Sequence, residues 1–170
     1  MNSQSRRNMI DERLSKSDKP VKGSTLADEL GVTRQVIVKD IAILRAQGEK
    51  IIATPEGYIK AQESNHVYRK VIATCHKSGE IEDELSIMVK FGGIIEDVIV
   101  EHPLYGEIKG MLMIKTLYDV QNFVKRINEY KAEPLMVLTG GVHLHTVAAE
   151  SNEILEKIEE ELKAKKYLIT

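Results

Sequence analysis

Two of the five histidines stand two residues apart in the stretch GGVHLHTV, Gly140–Val147. On a strand, residues i and i+2 point to the same side, with Cα atoms about 6.5–7 Å apart. His143 and His145 therefore share one face, and Val142, Leu144 and Thr146 the other. Two imidazoles at that separation can converge on one cation, provided each is neutral and its other ring nitrogen is held by an acceptor. The alternative is a pair of half-exposed histidines on a sheet face. A metal needs further ligands, and few are on offer. His76 follows a strand-like run and precedes a loop; Glu84 lies eight residues on, near a helix start, among Glu80, Glu82 and Asp83. Spacing does not choose between these acids. His102 and Tyr105 sit at a turn in EHPLYGE, where they can line a pocket or hold the turn around Pro103. His66 falls in polar surroundings. Cys75, next to His76, would face the other way on a strand and reads as a small buried core residue.

The elements that must position these groups follow from local pattern. VYRKVIATCH reads as a strand, IEDELSIMVKFG as a helix with acids in its first turn, where they suit the helix dipole. IIEDVIVEHPLYGEIKGMLMIK reads as two strands around a Pro/Gly turn, and LYDVQNFVKRINEYK as an amphipathic helix. PLMVLTGGVHLHTV reads as two strands hairpinned at Gly140–Gly141, and NEILEKIEEELKAKKY as a final charged helix. The order is βαββαββα, an α+β body with a largely antiparallel sheet.

The first sixty residues differ in kind. Arg6–Leu14 is a short helix, broken by Pro20 and Gly23; STLADELG is a second, ended by Gly31. Thr33 can cap a third, Arg34–Gln47, in which Ile37, Ile41 and Leu44 form one buried face. EKIIATPEGYIKA carries a hairpin signal at TPEG. Two short helices joined by GVT and followed by a ribbon predict a winged helix-turn-helix. With the apolar face turned inward, Thr33, Arg34, Gln35, Val38 and Lys39 remain on the outward face that such a motif lays in the major groove. Arg can donate twice to guanine, Gln can pair with adenine, and Val38 can touch a thymine methyl. Arg45, Lys50 and the wing residue Lys60 are placed for phosphates. The polar stretch AQESNH is the expected linker, so the domains are 1–61 and 66–170.

Bulk properties narrow the class. The chain has 170 residues, 42% hydrophobic and 29% charged, which is enough to build a soluble core. The net charge of −2 hides an asymmetry: residues 1–60 carry eleven Lys/Arg against eight Asp/Glu, and residues 61–170 thirteen against eighteen. A mildly basic head on an acidic body implies that only the head meets a polyanion. No apolar run approaches the ~20 residues that span a bilayer, and MNSQSRRNMIDERL lacks a signal core. The single cysteine excludes an intrachain disulfide and points to the cytoplasm.

Two resemblances extend this reading. LADELGVTRQVIVKDIAILRAQG resembles the winged helix-turn-helix of bacterial repressors, including the biotin repressor. CHKSGEIEDELSIMV, DVIVEHPLYG, DVQNFVKRI and LTGGVHLHT resemble the three-histidine (3H) domain. Together they resemble the niacin-responsive repressors of NiaR type. The resemblance implies repression of NAD-synthesis and niacin-uptake genes, with nicotinic acid as corepressor. It also implies a divalent metal on His76, Glu84, His143 and His145, and it is this resemblance that selects Glu84 over its acidic neighbours. Three imidazoles and a carboxylate suit nickel or zinc, and also iron or cobalt. Helix-turn-helix repressors bind two half-sites as two-fold dimers, so a homodimer on operator DNA is expected. Rival readings are a metal sensor without organic effector and a hydrolase using metal-bound water. The matched motifs offer the hydrolase no obvious general base. A biotin ligase-repressor shares only the head.

Overall fold

The computed structural model describes residues 2–61 and 67–170. The expected linker thus lies outside the described residues from 62 onward, and His66 with it. The chain divides into two compact units, Met1–Glu63 and Ser64–Thr170.

In the first unit, α1 (Ser3–Ser15), α2 (Gly23–Leu30) and α3 (Arg34–Ala46) precede a ribbon of β1 (Ile51–Thr54) and β2 (Gly57–Lys60). The first helix starts earlier than its apolar pattern indicates, because Asn2 accepts the Ser5 amide at 2.7 Å and caps it. Gly31, with φ +63°, ends α2 in the left-handed conformation that glycine adopts without steric cost. The turn that follows delivers the chain into α3. Thr33 does occupy the N-cap position of α3, but its side chain makes no capping bond. Ile10, Leu14, Leu26, Ile37, Ile41 and Leu44 close the core, with Ile51 from the ribbon. Asp40, turned inward on α3, is buried and paired with Arg6 at 2.5 Å and Arg7 at 3.6 Å, which ties α1 to α3.

The second unit runs β3 (Tyr68–Cys75), α4 (Ile81–Lys90), β4 (Ile94–His102), β5 (Gly106–Ile114), α5 (Leu117–Tyr130), β6 (Val142–Ala149) and α6 (Asn152–Ala164). One antiparallel sheet has the order β3-β6-β4-β5. Ile72, Ile95, Leu112, Ile114 and Val147 meet Leu85, Met88, Leu155, Ile158 and Leu162 from α4 and α6 in one core. On the opposite face Val71 and Val142 are exposed.

Two expectations are corrected here. PLMVLT is not a strand: Leu135–Thr139 is a 3-10 helix. The sheet explains why. Strand β6 is interior, flanked by β3 and β4, so no edge remains for a hairpin partner. Gly140 and Gly141, at φ +62° and +102°, lead the chain out of the 3-10 helix into β6. The last helix also stops short of Tyr167. Lys166, at φ +64°, turns the chain back. Cys75 N then donates to Tyr167 O, and Ile169 N to Ala73 O, both at 2.9 Å, along the otherwise free edge of β3.

Candidate metal centre and nucleic-acid interface

The interior position of β6 puts both of its histidines under the helices. Antiparallel pairing sets Thr74 opposite His143 and Ile72 opposite His145. His76 comes immediately after β3. The short 3-10 helix Ser78–Glu80 then carries the chain into α4, and the Glu80 carboxylate fixes this turn by accepting the Lys77 amide at 2.8 Å. Glu84, in the first turn of α4, thereby returns to His76. The geometry brings all four residues together, and none is more than 8% exposed.

Each imidazole is oriented by a backbone carbonyl. Nδ1 of His76 donates to Lys77 O at 2.8 Å, Nδ1 of His143 to Gly141 O at 2.8 Å, and Nδ1 of His145 to Asp97 O at 2.6 Å. A carbonyl can only accept, so each Nδ1 carries a proton and each Nε2 is left as the ligating atom. The three Nε2 atoms face one carboxylate. His76 lies 2.7 Å from Glu84 Oε2, His143 3.2 Å from Oε1, and His145 3.5 Å from Oε2. The Nε2 lone pairs of His76 and His145 therefore face a buried anion, a conflict that a cation between them, a metal ion or a proton, would resolve. Burial opposes charging His76 and His145, yet the hydrogen bond and charge of Glu84 outweigh it and raise both above the ordinary imidazole value. Burial likewise pushes Glu84 up, but bonds from His143, His145 and His76 hold it well below the usual carboxylate range. Even so, Glu84 Oε1 is buried without a hydrogen-bond partner. Ligating atoms of His76, Glu84 and His143 lie within 4.8 Å of one another, and His145 Nε2 adjoins this group through Glu84 Oε2 at 3.5 Å. This nitrogen and oxygen donor set, with its orphaned carboxylate oxygen, fits a divalent transition metal.

Several contributing residues carry no signal in the sequence. Thr74 Oγ1 is 3.1 Å from His143 Nε2. The Tyr167 ring lies 5.2 Å from that of His76, and its hydroxyl donates to Asp83 at 2.8 Å. Burial and this contact push the phenol up to about 12, so it stays a donor. Gly141 backs the site differently from the hairpin role its sequence predicts. A Cβ there would come 2.5 Å from the His76 carbonyl oxygen, at φ +102°. Gly141→Ala should therefore destabilise this unit by roughly 2–4 kcal/mol in urea unfolding. Gly140→Ala is the control: its Cβ would meet nothing within 4 Å, leaving only the left-handed strain of about 1–2 kcal/mol. Equal losses in the two variants would contradict the close approach.

Other predicted residues lie elsewhere. His102 and Tyr105 sit at the tip of the β4–β5 hairpin, where His102 Nδ1 accepts the Leu104 and Tyr105 amides at 3.1 and 3.3 Å. Their rings lie 5.0 Å apart, so the geometry supports the turn-holding role. Cys75 is half-buried, which corrects its assignment to the core. It lies at the C-terminal end of β3, in register with exposed Val142.

On α3, Thr33, Arg34, Gln35, Val38 and Lys39 are all exposed, while Ile37, Ile41 and Leu44 are buried. Arg45 and Lys50 are exposed as well. Lys60 is corrected. Its Nζ lies 2.6 Å from Asp11 and 2.8 Å from Glu49, and hydrogen bonds to these acids raise its pKa. A phosphate would have to displace both.

Fold and site together define a helix-turn-helix regulator whose second unit carries a buried histidine–glutamate cluster. Residues 6–59 match the HTH domain and residues 69–170 the 3H domain. A probable transcription repressor NiaR of Thermotoga maritima is 49% identical over 156 residues, covering 92% of this chain and 89% of that protein. The transcription repressor NadR of Bacillus subtilis is 37% identical over 147 residues, covering 85% and 82%. The chain belongs to the NiaR-type family of transcription repressors, with a helix-turn-helix for DNA and a 3H domain. It is accordingly a regulator and not an enzyme. No helix among the described residues is long and apolar enough to cross a membrane.

Proposed function

We propose that this chain represses genes of NAD synthesis and niacin uptake, with nicotinic acid as corepressor. It acts as a cytoplasmic homodimer on operator DNA, read by residues 1–61, with residues 66–170 as effector domain. The observation that carries the metal part is the convergence of three carbonyl-oriented imidazoles, through Nε2, on Glu84, whose Oε1 is buried without a hydrogen-bond partner. His76, Glu84, His143 and His145 would hold nickel or zinc, with iron or cobalt also compatible. When bound, the metal supplies an acceptor for the carboxylate or ring nitrogen of the effector. Thr33, Arg34, Gln35, Val38 and Lys39 contact base edges, and Arg45 contacts phosphate.

Corepression requires nicotinate to bind the DNA-competent state more tightly. Operator DNA must then raise nicotinate affinity by the same factor that nicotinate raises operator affinity. Fluorescence anisotropy on an operator fragment, with and without nicotinate, is to be compared for metal-loaded and metal-stripped protein. The expected result is a nicotinate-dependent gain of roughly 5–150-fold, confined to loaded protein. A gain from metal alone, unchanged by nicotinate, would establish the metal-sensor reading instead. Full-strength nicotinate binding by stripped protein would refute the metal's part in effector recognition.

A further inference from the structure

Outside the four clustered side chains, one more carboxylate is deeply buried nearby: Asp97 on β4, 3% exposed. It sits where the sheet loses its regular register on both sides. Against β6, Ile95 faces Val147 but Ile99 faces Leu144, so β4 takes four steps while β6 takes three. Against β5, Ile95 faces Ile114 but Asp97 faces Met111, so β5 takes three steps while β4 takes two. The extra residue on β5 coincides with Met113, left-handed at φ +53°. Such bulges leave ladder groups unpaired and redirect side chains.

Asp97 uses the groups set free. Its backbone carbonyl accepts Nδ1–H of His145 at 2.6 Å. Its Oδ1 accepts the amide of the next residue, Thr146, at 2.8 Å. Its Oδ2 lies 3.4 Å from Lys109 Nζ on β5. One residue therefore grips two consecutive positions of β6, a ring and an amide, and is steadied from the opposite strand. A carboxylate buried to this degree is costly unless its oxygens are partnered, and here each has a partner. Among the described residues, the Asp97 carbonyl is the hydrogen-bond partner shown for His145 Nδ1; the carbonyls behind His76 and His143 come from their own neighbours in sequence, Lys77 and Gly141.

We propose that Asp97 is a positioning residue for the metal cluster: the paired bulges present its carbonyl to His145, and its carboxylate locks the bulge onto Thr146. This rests on the metal reading above. The test uses the full-length chain as parent, Asp97→Ala and Asp97→Asn. Affinity for nickel(II) and zinc(II) alone is measured by competition with a chelator. The His145 ring tautomer is measured by nitrogen-15 NMR in metal-free protein. Asp97→Ala should weaken metal binding by roughly 10–100-fold and let His145 populate both tautomers. Asp97→Asn keeps an acceptor for Thr146 and should retain the parent affinity and the Nδ1–H tautomer. An alanine variant that binds metal like the parent overturns the proposal. If that variant does not fold, the asparagine variant decides, because loss of affinity or tautomer there also overturns it. A parent that takes up neither metal refutes the metal centre itself, and the His145 tautomer in Asp97→Ala then still decides whether Asp97 positions that ring.

Discussion

Glu84→Gln should lower metal affinity by roughly 3–5 kcal/mol, a hundred-fold or more, while the metal-free unit still folds. Glutamine has nearly the size of glutamate and lacks its charge. The three Nε2 atoms now converge on Glu84, which is 1% exposed. Removing that charge leaves a bound cation with only neutral donors. Without metal the effect is opposite in kind, because the glutamine amide can donate to the Nε2 lone pairs that a carboxylate cannot satisfy. The imidazoles of His76 and His145, raised in the parent by Glu84, should titrate lower in the variant. Chelator competition and an NMR titration of the histidines check both halves. Parent-like affinity in Glu84→Gln would remove this carboxylate from the ligand set.

The same shifts set a pH dependence for the parent. Protons compete for Nε2, so metal affinity should fall as pH falls, and the fall should begin above the ordinary imidazole range because the pKa values of His76 and His145 are raised. In metal-free protein, Glu84 is depressed, so its contribution to stability is present above the ordinary carboxylate value and is lost on acidification. The raised imidazoles contribute below the ordinary histidine value and lose that contribution as pH rises through their folded values. Metal-free protein should therefore be most stable between these limits, and metal should extend its stability to the alkaline side. Unfolding midpoints against pH, with and without metal, test this.

Arg34→Ala should weaken operator binding by roughly 10–100-fold, from the 1–3 kcal/mol of a bidentate base contact, and flatten sequence preference. Arg34 is the first residue of α3 and is exposed. A Cβ at Gly23 would lie 3.7 Å from its Nε, so its stem runs beside the start of α2 and is not part of the core. The fold should survive, as judged by an unchanged melting midpoint. Arg34→Lys keeps the charge but loses the planar fork, and should retain salt-sensitive binding without specificity. Lys60→Ala is the contrasting case. Its Nζ is already held by Asp11 and Glu49, so the salt dependence of DNA binding should barely change. A marked fall in that slope would return Lys60 to the phosphate contacts.

Much of this molecule follows from short-range pattern. The period-two rule places His143 and His145 on one face, and the i, i+4, i+7 spacing of Ile37, Ile41 and Leu44 turns Arg34 and Gln35 outward. Gly31 ends α2 for a reason contained in one residue. These features need only neighbours along the chain, so local residue order is enough to set them. What it could not determine is which strands become neighbours. The apolar run PLMVLT has the length of a strand, and only the sheet order, with β6 already paired on both sides, makes it a 3-10 helix. Lys60 looks like any exposed wing lysine until folding sets it between two acids 49 and 11 positions along the chain. Asp97 gains its hold on His145 from two register shifts that no local spacing encodes. Each of these depends on pairing between distant segments, where burial and hydrogen-bond satisfaction across the whole unit outweigh local preference.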